Sequence, residues 1–87
     1  MAREIDRWSE VTYYEQLASI LREQIKRGEL EPGTGIPSET TLMQAHGLSR
    51  GTVRRAIELL AQAGWLETVP RRGSRVRPRK DWPDDGR

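Results

Sequence analysis

The chain has 87 residues, 34% of them apolar and 32% charged, which suffices for one small domain with a modest core. It has no cysteine and a single histidine, so a disulfide framework and a thiolate metal site are excluded and His46 has no ligand partners. No apolar run nears the roughly 18 residues of a membrane span, and the N-terminus lacks the apolar stretch of a secretion signal. A soluble cytoplasmic protein with no metal, no cofactor and no membrane partner is the expectation.

The net charge of +2 is unevenly spread. Residues 1–47 sum to −3 and residues 81–87 to −2, whereas residues 48–80 carry nine basic and two acidic side chains, +7 in all. Such a block suits a polyanion, against the plainer reading of a solvated basic surface.

Residues 1–11 show no periodicity and are expected to form a flexible arm. From Tyr14, the apolar positions Leu17, Leu21 and Ile25, with Ala18 beside them, follow the spacing of an amphipathic helix. Gly28 ends it after the basic turn Lys26–Arg27. Residues 28–37 hold three glycines and two prolines, too many breakers for regular structure. Ser38 reads as an N-cap, with Glu39 favouring the positive end of the helix dipole, and a second helix runs from about Glu39 to His46 before Gly47. Ser49 caps a third helix, with Val53, Ala56, Ile57 and Leu60 on one face and Gly64 as its stop. Two short helices joined at a glycine form a helix-turn-helix.

After Gly64 the run Trp65–Val69 alternates as a strand does, Pro70–Gly73 is a turn, and Ser74–Val76 returns. A hairpin directly after the third helix is a wing. The fold class is therefore mainly α with a small β-hairpin, a winged helix-turn-helix over 12–77. Residues 78–87 are polar and are expected to be a disordered tail. Trp65 belongs to the core, while Trp8 and Trp82 lie in polar surroundings that point to exposure.

In a helix-turn-helix the start of the second helix enters the major groove of DNA. Here that start carries Ser49, Arg50, Gly51, Thr52, Arg54 and Arg55. Arginine can donate two hydrogen bonds to guanine, hydroxyls suit phosphates or bases, and glycine at 51 permits a close approach. The plainer readings are a cap for Ser49, a helix-start hydroxyl for Thr52 and a surface cation for Arg55. Arg71, Arg72, Arg75, Arg77, Arg79 and Lys80 put six cations on or beyond the wing, suited to backbone or minor groove. His46 has no nucleophile beside it, and Gly33-Thr-Gly35 lacks the lysine of a phosphate loop, so no enzyme activity is expected.

Several runs resemble the N-terminal domain of GntR-family transcriptional regulators. They are Tyr14–Ala18, Leu21-Arg22 and Ile25, Gly28–Gly33, Ile36–Glu39, Leu48–Arg50, Thr52–Arg54, Ala56, Leu60 and Ala63–Leu66, and the match spans about residues 12–76. The resemblance implies a regulator, usually a repressor, that binds a palindromic operator as a dimer. It implies base or backbone contacts for Arg50 and Arg54, phosphate contacts for Ser49 and Thr52, and a minor-groove approach for Arg71, Arg72 and Gly73. Ser38 and Thr40, at the start of the second helix, complete the expected DNA-binding set.

The sequence also departs from the family. Thr40 stands where arginine is usual, Thr41 where a glutamate would complete a capping box, Arg71 where glycine is usual, and Arg75 where an aromatic is usual. Family members normally continue into a larger domain that binds an effector and dimerises. These 87 residues are either a naturally short member or the N-terminal part of a longer chain, and within them no effector site and weak dimerisation or a monomer in solution are expected. The competing reading is a winged-helix protein-interaction module. RNA binding fits less well, since no aromatics sit among the arginines to stack unpaired bases.

Overall fold

A computed structural model describes residues 4–83. Helix α1 spans Tyr13–Lys26, α2 Glu39–His46 and α3 Arg50–Ala63, followed by strands β1, Leu66–Val69, and β2, Gly73–Val76, and a 3-10 turn at Arg79–Asp81. Each α-helix opens on a hydroxyl cap three residues ahead of the backbone N–H it accepts from: Thr12 for Glu15, Ser38 for Thr41, and Ser49 for Thr52. The helix ends are equally legible. Gly47 (φ +64°) and Gly64 (φ +100°) close α2 and α3 in the left-handed conformation that glycine adopts without penalty.

Leu17, Leu21 and Ile25 of α1 pack against Val53, Ala56 and Leu60 of α3, and Leu42, Leu48, Trp65, Leu66 and Val76 close the core around them. Leu17, Ile25, Val53 and Val76 are wholly buried. Truncating one of these leucines to alanine would cost about 2–5 kcal/mol, a large part of the roughly 5–15 kcal/mol that holds a domain folded. The strands pair antiparallel, Leu66 opposite Val76 and Val69 opposite Gly73.

Three segments behave differently from their composition. The breaker-rich loop 28–37 lends its backbone to the sheet: Ile36 N–H donates to the Ser74 carbonyl, Val76 N–H to Thr34 and Gly33 N–H to Val76. Described residues of the 1–11 arm are anchored rather than loose. Gln16, the one polar side chain buried among the described residues, accepts from Asp6 N–H at 2.7 Å and donates to the carbonyls of Asp6 (3.0 Å) and Val11 (2.9 Å).

The expected disordered tail also departs from expectation as far as it is described. Trp82 packs its ring 5.5 Å from that of Trp65 and donates its indole N–H to the Arg77 carbonyl at 2.8 Å. One aromatic finding both a ring and an acceptor outweighs a polar neighbourhood. Trp8 is exposed, as read from the sequence. The remaining residues of arm and tail, 1–3 and 84–87, lie outside the described region. Among the described residues no helix is long and apolar enough to cross a membrane, and no cluster of potential metal ligands occurs.

Candidate nucleic-acid interface

The start of α3 lies beside the start of α2, and the hairpin tip faces both. Two shallow clefts run between α3 and the hairpin. Arg54, Ile57, Arg71 and Ser74 line one; Ser38, Thr40, Arg50 and Arg72 line the other. Glu39 lines both. The structure thus brings Ser38, Thr40, Arg50, Arg54, Arg71, Arg72 and Gly73 to one face, supplied by three separate elements.

Glu39 organises this face. Its two carboxylate oxygens accept from Arg50 Nη1 at 2.9 Å and from Arg54 Nε at 3.0 Å. The hydrogen bond from Arg54, then that from Arg50 and both positive charges, hold the Glu39 carboxyl below the usual glutamate range, against an opposing upward push from burial. Glu39 was read from the sequence only as a charge at a helix start. Its partners are 11 and 15 residues away, brought to it by the crossing of α2 and α3.

This tethering leaves the arginines usable. With Nε held, Arg54 keeps both terminal nitrogens free, the pair that a guanine edge accepts from in a bidentate contact. Ser49 and Thr52 share a hydroxyl hydrogen bond of 2.9 Å, as Ser38 and Thr41 do, so each cap carries two polar groups at a helix N-terminus. Gly51 is exposed, and a Cβ added there would meet nothing within 4 Å. The protein's own packing therefore gives no reason for glycine inside this helix.

Arg55 lies apart. Its guanidinium stacks over the Tyr14 ring at 4.5 Å, on the α1 side of α3. The five arginines on or beyond the wing also divide. Arg75 is hydrogen-bonded to Glu67 across the hairpin, Arg77 pairs with Asp81 at 3.9 Å, and Arg79 covers the Trp82 ring at 4.7 Å. Among the described residues, Arg71 and Arg72 at the tip have no acidic partner.

The tip itself is strained. Arg72 N–H donates to the Val69 carbonyl at 2.9 Å, closing a turn with Pro70 second and Arg71 third. Arg71 sits at φ +65°, the one described non-glycine residue with positive φ. Proline in second place and positive φ in third are the marks of a type II turn, where glycine is favoured. The departure noted at this position is therefore a real conformational cost.

Residues 13–76 match the family of bacterial regulatory proteins called gntR. The chain is 44% identical over 64 residues to the mannosyl-D-glycerate transport/metabolism system repressor MngR of Escherichia coli, covering 74% of this chain and 27% of that protein. It is 39% identical over 72 residues to the transcriptional repressor NagR of Bacillus subtilis, covering 83% and 30%. It thus spans less than a third of these relatives. Among solved structures it is similar to YtrA, a GntR-family transcription factor from Sulfolobus acidocaldarius, with a TM-score of 0.81, 32% identity and coverage of 90% and 82%. It is also similar to the DNA-binding domain of AraR in complex with operator ORX1, with a TM-score of 0.75, 36% identity and coverage of 82% and 88%.

Proposed function

The chain belongs to the GntR family as a winged-helix DNA-binding domain of a transcriptional regulator, and on that premise we propose that it recognises a specific operator duplex to repress transcription. Helix α3, residues 50–63, lies in the major groove, and the wing, about residues 70–75, rests on the adjoining backbone or minor groove. The observation that carries this reading is the convergence of Arg50 and Arg54 with Arg71 and Arg72 around the same two clefts.

In this reading Arg54 reads a base through its two free terminal nitrogens and Arg50 reads or anchors beside it. Ser38, Thr40, Ser49 and Thr52 meet phosphates at the starts of α2 and α3. Gly51 lets the duplex approach closely. Arg55, from its perch on Tyr14, serves the flanking backbone. Arg71, Arg72 and Gly73 form the wing contact. Two copies on a palindromic operator complete the assembly, with repression favoured because MngR and NagR bear that description.

The test is a titration of operator sites selected from a random duplex library. Arg54→Ala is expected to weaken binding by about 1–3 kcal/mol for a lost bidentate contact and to relax the preference at one base pair. Affinity should fall with salt at a log–log slope of about −0.9 per neutralised phosphate. Unchanged operator affinity in Arg54→Ala overturns its role as a reader, and a flat salt response overturns the backbone contacts.

A further inference from the structure

The arm places one cation at the turn between α2 and α3. Arg7 Nη2 donates to the carbonyls of His46 at 2.9 Å and Gly47 at 3.0 Å, the last two residues before the chain turns toward α3. Its guanidinium stacks 4.9 Å from the ring centre of Tyr13, the first residue of α1. A Cβ added at Gly47 would fall 3.0 Å from the same nitrogen, so the guanidinium lies close against a position that the left-handed cap already reserves for glycine.

We propose that Arg7 is a positioning residue for operator recognition, clamping the turn between α2 and α3 and so fixing where the recognition helix begins. The inference rests on the DNA-binding reading above. A helix end exposes carbonyls without intrahelical partners, and a cation there also meets the negative end of the dipole. Arg7 supplies both to the eight-residue α2. It does so from a fixed base, because Gln16 holds the arm by three hydrogen bonds on either side of it.

Ser49, which caps α3, follows Gly47 by two residues, and Arg50 follows at once. Any slack in the turn is handed directly to the first reading arginine, and a recognition element tolerates little displacement. A direct phosphate contact is the weaker role for Arg7. One of its terminal nitrogens is committed to two carbonyls, and Glu4, Asp6 and Glu10 make its own segment acidic.

The experiment compares the unmodified chain with Arg7→Ala and Arg7→Lys. Each is titrated against selected operator and mixed-sequence duplex over a salt series, and amide exchange is followed in the free protein. Arg7→Ala is expected to weaken operator binding about five- to tenfold. Mixed-sequence affinity should stay within about twofold with the salt slope unchanged. Exchange should quicken at the Gly47 and Leu48 amides, both of which donate to the Met43 carbonyl.

Arg7→Lys keeps a donor but loses the flat stacking surface, and should fall between the two in the same pattern. If Arg7→Ala proves poorly folded by thermal melting, the lysine variant carries the test alone. Equal losses on both duplexes, with a slope flatter by about 0.9, would show a direct phosphate contact and overturn the proposal. Unaltered operator affinity and exchange would overturn it as well. Failure of the unmodified chain to bind either duplex would overturn the DNA reading instead, and the exchange rates would still decide whether Arg7 holds the turn.

Discussion

Replacing Glu39 by glutamine keeps the side chain's length and removes the charge that joins α2 to α3. Two ion pairs are lost, with the arginine side chains 50% and 61% exposed and the glutamate side chain 31% exposed. Pairs this wet contribute about 0.2–1 kcal/mol each, and an acid in the first turn of a helix a further 0.3–1 kcal/mol or so. The amide oxygen of glutamine can still accept from one arginine, so the net loss is about 1 kcal/mol, which lowers the melting temperature of a domain this size by roughly 4–8 °C. The sign of the pH dependence follows from the depressed carboxyl pKa: the stabilisation is complete above the ordinary glutamate pKa and vanishes as pH falls through the lowered folded value. Melts of both proteins across an acid series should therefore converge only at low pH.

On DNA the same variant should divide two properties. Freed of Glu39, Arg50 and Arg54 face the phosphates with one less negative charge nearby, so mixed-sequence affinity rises at low salt. Operator affinity gains less, because each loosened arginine now loses about 0.5–1.5 kcal/mol of side-chain freedom on binding. The ratio of operator to mixed-sequence affinity should drop about five- to tenfold. A ratio preserved within twofold, alongside a lowered melting temperature, would refute this reasoning and leave Glu39 as a helix-start charge alone.

Arg71→Gly relieves the positive φ, worth about 1–2 kcal/mol, while the freer unfolded chain returns about 0.5–1 kcal/mol; chemical denaturation should show a gain of up to about 1.5 kcal/mol. Mixed-sequence binding should at the same time lose about one phosphate's worth of salt dependence. Gly51→Ala should raise stability by up to about 0.5 kcal/mol, less than in a helix interior because Gly51 is the second residue of α3, and the added methyl meets nothing in the protein. The same substitution should weaken operator binding in a shift assay if the duplex approaches that backbone, and equal affinity would dismiss close approach as the reason for glycine.

The sequence carried the helices and the hairpin because their signals are local. Ser38 and Ser49 cap within three residues, Gly47 and Gly64 stop within one, and the stripes 17, 21, 25 and 53, 56, 60 repeat at helical spacing. What it did not carry depends on which elements cross. Glu39 meets Arg50 and Arg54, Arg7 meets Gly47, and Trp82 meets Trp65 only after the core has set the helices and hairpin in place. The described residues of arm and tail, 4–11 and 78–83, depart from the expectation for a related reason. Polar composition argues for disorder only while no buried partner is available, and Gln16 and Trp65 each supply one.

The basic block therefore cannot be taken at face value. Arg75, Arg77 and Arg79 hold the base of the hairpin together, and Arg55 braces α3 on α1. Two arginines at the wing tip remain without acidic partners among the described residues, and two more on α3 are held by an acid. A carboxylate in the middle of a DNA-facing surface opposes binding to any phosphate backbone, whatever its sequence. Beyond the roughly 1 kcal/mol it contributes to the fold, it favours recognition where its effect on the right sequence is smaller than on the wrong one, as holds when it orients arginines toward base edges. Under the proposed DNA-binding reading, the hairpin tip supplies general affinity and discrimination between sequences lies in the geometry that Glu39 imposes on Arg50 and Arg54.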